Sequence, residues 1–118
     1  MRTELCNGKQ IDRRIIEAAR RVATWNARDM LDYGYSHSID MDEPYQDADT
    51  DELCAINDKN RARVIVHLAG MADTAANRMD AIHAWEAPEL LDSGRERVPA
   101  WMRGGYIDTV RDRFLDRE

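Results

Sequence analysis

The side chains that could ligate a metal or carry a proton are few. They are His37, His67 and His83, the thiols Cys6 and Cys54, and a run of carboxylates between Asp40 and Glu52. His83-x-x-Glu86 would bring an imidazole and a carboxylate within reach on a helix. A di-metal bundle needs a set of such pairs on facing helices, and this sequence holds only this one. His67 and His83 stand roughly 160° apart around a continuous helix, so they would not share a face. Asp47, Asp49, Asp51 and Asp58 match four positions of a calcium loop. Its sixth position demands Gly but holds Glu52, and its last wants a bidentate Glu. Helix capping beside a solvated acidic loop explains these residues better. Ser36-His37-Ser38 has no nucleophile elbow around it. Phosphate-binding loops, dinucleotide fingerprints and a helical HExxH are all missing, and no CxxC offers a zinc site. The expectation is a protein without catalytic residues, metal or cofactor.

Composition narrows the partners. The chain has 118 residues, the size of one small domain. It is 43% apolar and 34% charged, which suits a thin helical packing or a fold completed by a partner. The net charge of −6 repels a nucleic-acid backbone and steers the protein toward basic surfaces. Of 17 basic residues only Lys9 and Lys59 are Lys. The Arg excess reflects either a GC-rich genome or planar, bidentate contacts at an interface. The polar N-terminus has no apolar run of signal or membrane-span length, so a cytoplasmic protein with reduced thiols is expected.

The elements that would position these residues read as an all-α protein. The fold class expected is a small helical bundle with a long central helix and an irregular acidic loop, one domain over 1–118. Val64, Leu68, Met71, Ala75, Met79 and Ile82 recur at three- and four-residue intervals, which predicts one central helix from Lys59 to Glu86. Pro88 would stop it, and Gly70 would be a close-packing point or a kink. Asn7-Gly8 marks a turn in a short N-terminal arm. A first helix is expected from Ile11 to Tyr33, with Ile11, Ile15, Ala19, Val22 and Met30 inward and Gly34 as its C′ residue. Arg13, Arg14, Arg20, Arg21 and Arg28 fall on the opposite side, as a solvated face, or as a dock for an acidic partner or for the chain's own acidic loop. The loop follows at about 34–50. Asp49 and Glu52 have the spacing of a capping box for a short helix from Thr50 to Ile56. A break or kink is expected at Asn57-Asp58-Lys59-Asn60. Short turns over 88–92 and around Trp101 and Met102 lead to a last helix, Tyr106 to Asp116.

Three stretches carry a family resemblance. Ile15-Ile16-Glu17-Ala18-Ala19-Arg20, with Trp25 after it, resembles the first helix of a family of small phage-encoded anti-CRISPR proteins. Ala84-Trp85-Glu86, Leu90-Leu91, the Gly94-Arg95 turn and the Arg113-Phe114 region are similar to later parts of that family. Its members block the helicase-nuclease recruited by type I CRISPR systems. The resemblance implies an all-α, non-catalytic inhibitor that occupies a basic, nucleic-acid-binding surface of a CRISPR effector in the bacterial host cytoplasm. It would bind neither nucleic acid nor membrane directly. The loop would supply the contact, with charge from Asp40, Asp42, Glu43, Asp47 and Asp49 and apolar anchors from Met41 and Tyr45. The alternative is a structural or regulatory helical protein that pairs with its own copies, through Trp85, Trp101 and Met102.

Overall fold

The computed structural model describes residues 2–6 and 8–87. The N-terminal arm is a β-hairpin. Strands β1 (Thr3–Cys6) and β2 (Lys9–Asp12) pair antiparallel, with Cys6 opposite Lys9 and Thr3 opposite Asp12. The link lies at the expected turn, and Gly8 takes φ +78° there, which a residue without Cβ adopts freely. Ile11 and Cys6 are buried on this hairpin, while Leu5 faces solvent. The fold is therefore mostly helical but not all-α.

The expected first helix is three elements. Ile11 belongs to β2, and α1 (Arg13–Arg21) starts at an Asp12 cap whose side chain accepts from the Arg14 amide at 2.8 Å. The Arg14 guanidinium also donates to both Asp12 oxygens, which holds that carboxyl below its ordinary range. After Val22 the chain restarts at Asn26, the cap of α2 (Ala27–Ser36). Asn26 and Asp29 form a reciprocal capping box, at 2.9 and 3.1 Å, which the run of apolar spacing had masked. Gly34 is inside α2 rather than beyond its end. Ser38 is the C′ residue, at φ +56°, and the amides of Ser38 and Ile39 bond back to Tyr35 and Gly34. The residues expected to face inward, Ile11, Ile15, Ala19, Val22 and Met30, are all buried.

The second correction concerns the central helix. It is α3 (Thr50–Leu68), followed by a separate α4 (Ala75–Trp85). Asp49 caps α3 as the sequence implied, accepting from the Glu52 amide at 2.8 Å. No break occurs at residues 57–60, because the polar residues there have partners: Asp58 bonds Arg61, Lys59 pairs with Asp42, and Asn60 bonds the loop. The chain ends α3 at Gly70 instead. Gly70 has φ +69°, its amide bonds His67, and the Met71 amide bonds Val66, closing a Schellman motif. Thr74 then caps α4. Asp73, in the link, meets Arg78 at 2.5 Å and Arg63 at 3.9 Å, tying the start of α4 to the body of α3.

Helix α3 is buried on most of its circumference, through Ala55, Ile56, Ala62 and Val64-Ile65-Val66. It packs against α1, α2 and α4, while β2 and α1 pack on α4. Trp85 sits in this core at 4% exposure, with the Arg61 guanidinium 4.2 Å from its ring centroid. Trp85 is therefore a core residue. The turns and last helix expected beyond Pro88, with Trp101 and Met102, lie outside the described residues. Among the described residues no helix is long and apolar enough to cross a membrane.

Gly70 has open space around an added Cβ, so its constraint is the backbone alone. Gly70→Ala should cost about 1 kcal/mol in urea unfolding, the cost of a left-handed L-residue. No measurable cost would mean that α3 does not end in this motif.

Candidate functional site

The acidic loop is held on α3 by its backbone. Asn60 projects from the middle of α3 and is 2% exposed. Its carboxamide oxygen accepts from the Asp42 amide at 2.8 Å, and its Nδ2 donates to the Asp42 carbonyl at 2.6 Å. One side chain thus stands in for a neighbouring strand, and only one orientation of the amide satisfies both bonds. A buried carboxamide without partners would be costly, so the loop and Asn60 require each other.

Further contacts fix the residues on either side. The Ile39 amide bonds the Gly34 carbonyl at 2.8 Å. The Arg63 guanidinium donates to the Asp40 carbonyl. Met41 lies across Gly34, where an added Cβ would overlap its side chain. The absence of a side chain at Gly34 is what lets α2 and the loop touch. Lys59 meets the Asp42 carboxylate at 3.0 Å. The Tyr35 hydroxyl donates to Glu43, and this bond pushes the Tyr35 phenol above its ordinary pKa.

These contacts divide the residues expected to bind a partner. Met41 is half-buried against the core, Asp42 faces Lys59, Glu43 accepts from Tyr35, and Asp49 caps α3. Asp40, Tyr45 and Asp47 face solvent, Tyr45 with half its surface exposed. Tyr35, equally exposed, joins them from the last turn of α2, although it was expected in the loop and stands ahead of the acidic run. Asp51 and Glu52 lie in the first turn of α3, where its dipole favours negative charge. The segment that matched a calcium loop is helical from Thr50 onward, with Asp58 buried against Arg61. The Arg face is split between α1 and α2, and Arg13, Arg14, Arg20 and Arg28 have acidic neighbours at 3.0 to 4.0 Å.

A second cluster was invisible in the sequence. His37 and His67 meet on Tyr33, with ring centroids 5.3 Å apart. The Tyr33 hydroxyl and His67 Nδ1 are 2.8 Å apart, and His37 Nδ1–H donates to the Tyr33 carbonyl at 2.9 Å. Burial raises the Tyr33 phenol's pKa. His83 is half-buried on α4, next to its buried C-cap Glu86. Among the described residues no three His, Cys, Asp or Glu side chains are gathered as a metal site would need. Cys6, which is buried, and Cys54, which is half-buried, form no disulfide among the described residues.

The arrangement places exposed carboxylates, Asp40 and Asp47, on a loop whose backbone is held by α3 at Asp42. Asn60→Ala would strand the Asp42 amide and carbonyl, with an expected loss of about 2 kcal/mol in urea unfolding. A change under about 0.5 kcal/mol would show the clamp to be dispensable. Compared with known proteins, the chain matches no family model, no curated protein and no solved structure, so its function has to be argued from its own residues.

Proposed function

We propose that the protein is a non-catalytic phage inhibitor that binds a type I CRISPR effector. Its acidic loop occupies a basic, nucleic-acid-binding surface on the helicase-nuclease or the DNA-targeting complex. Occupancy blocks contact with DNA or with the partner subunit, in the host cytoplasm. One observation carries this reading: the start of the most acidic stretch of the chain is held in place by α2 and α3. An unbound run of seven acids would repel itself and stay extended. Here Asn60, Gly34 and Arg63 hold the backbone from Ile39 to Asp42. The ordering cost is met in folding, so less is lost on binding.

The chemistry follows from the same residues. Carboxylates compete with phosphate for Arg and Lys through charge-assisted hydrogen bonds. Asp40 and Asp47 present such charge, and Tyr35 and Tyr45 add apolar area beside it. The small-protein resemblance in α1 and around Trp85 supplies the CRISPR target.

Charge reversal must avoid the residues that hold the loop. Asp42 and Glu43 are engaged with Lys59 and Tyr35, so Asp40→Lys with Asp47→Lys is the informative pair. Size exclusion with a type I helicase-nuclease, and separately with a DNA-targeting complex, should give co-elution that weakens from low to moderate salt. The double variant should keep its helical circular dichroism and bind about tenfold or more weakly. Undiminished binding by that variant, or no co-elution with either target, overturns the reading.

A further inference from the structure

Helix α2 carries a shallow cleft of about 440 Å³ that the loop does not use. It is lined by Trp25, Asp29, Asp32, Tyr33, Ser36 and His37, which follow one stripe of the helix. We infer that this cleft is a receptor for a guanidinium group, the side chain of an arginine on the partner protein. The partner class comes from the reading above, and the guanidinium chemistry rests on the cleft alone.

The floor is aromatic. The Trp25 and Tyr33 rings are tilted by 55° with centroids 5.8 Å apart, and His37 stacks on Tyr33 at 3.9 Å. A planar cation can lie on the indole face of such a floor. The rim accepts hydrogen bonds. Asp29 and Asp32 are exposed carboxylates about one helical turn apart. The Ser36 hydroxyl can accept. His37 Nδ1 donates to the Tyr33 carbonyl, so in the neutral ring Nε2 carries the lone pair. No Lys or Arg lines the cleft. A planar group with five donors matches this set, whereas an ammonium has no plane to lie on the rings and, among the described residues, no three His, Cys, Asp or Glu are gathered for a metal.

Arg28 meets Asp32 at 3.1 Å across an exposed i,i+4 pair. That contact shows one rim carboxylate accepting from a guanidinium of the chain itself, and an incoming arginine can displace it because exposed pairs of this kind are weak. The cleft also joins the proposed interface along the chain. His37 ends α2, and Ile39 begins the loop two residues later.

The test uses the full chain, labelled for amide and indole NMR, and titrated with N-acetyl-arginine amide. Expected are saturable shifts centred on the Trp25 indole, Tyr33 and His37, with N-acetyl-lysine amide binding about threefold or more weakly. The uncharged citrulline analogue should give no saturable shift. Asp32→Asn, a change at a well-exposed side chain, should weaken the arginine probe about threefold without altering circular dichroism. Absent shifts, equal shifts with citrulline, or unchanged binding by Asp32→Asn overturn the inference. The two proposals fail separately. If the probe does not bind while the Asp40→Lys, Asp47→Lys protein still loses its effector, the cleft is wrong and the inhibitor reading stands. If the probe binds and no effector co-elutes, the reverse holds.

Discussion

A carboxamide buried at the middle of a helix must find a donor and an acceptor, because desolvating it unpaired costs more than a good bond returns. Asn60 finds both on the backbone of Asp42. That pairing sets where the loop crosses α3, and the rest of the loop's geometry follows. Lys59, one residue before, reaches the Asp42 carboxylate, and Arg63, one turn on, reaches the Asp40 carbonyl. Three consecutive contacts from one helix hold a segment whose own charges oppose its folding. Neither the core nor the acids alone would give the loop a shape.

The helices are arranged to present this clamp. Helix α3 runs through the centre and touches the other three, so a residue on it is as fixed as any in the fold. Both α2 and α3 end in the same device, a left-handed C′ residue followed by a bond back to the last turn. At α2 this device turns the chain straight into the loop, with Gly34 open for Met41. At α3 it turns the chain toward α4, whose Arg78 is held by Asp73. The hairpin and α1 close the opposite side, and Lys9 reaches Asp80 of α4 at 2.6 Å.

The apolar spacing read from the sequence placed the core well and the helix ends badly. Ile15, Ala19, Val22, Val64 and Ile82 are buried as their periodicity implies. Yet the same periodicity ran through two helix boundaries, because apolar residues on either side of a cap keep nearly the same phase. The caps were present as Asn26-x-x-Asp29 and Gly70, and local hydrogen bonds overrode the longer pattern. The opposite error occurred at 57–60, where polar residues that favour turns alone became helical because the loop and α3 itself supply their partners. The loop was legible as acidic and irregular. Its clamp was not, since Asn60 and Asp42 are joined only by the tertiary fold. The meeting of His37 and His67 was hidden for the same reason.

The central claim is that the acidic loop is ordered before any partner arrives, and amide hydrogen exchange on the free protein tests it directly. The Asp42 amide, bonded to Asn60, and the Ile39 amide, bonded to Gly34, should exchange about a hundredfold more slowly than those of the exposed neighbours Glu43 and Gln46. Asp42 exchanging as fast as Glu43 and Gln46 would contradict the account, because the loop would then be unformed in the free protein.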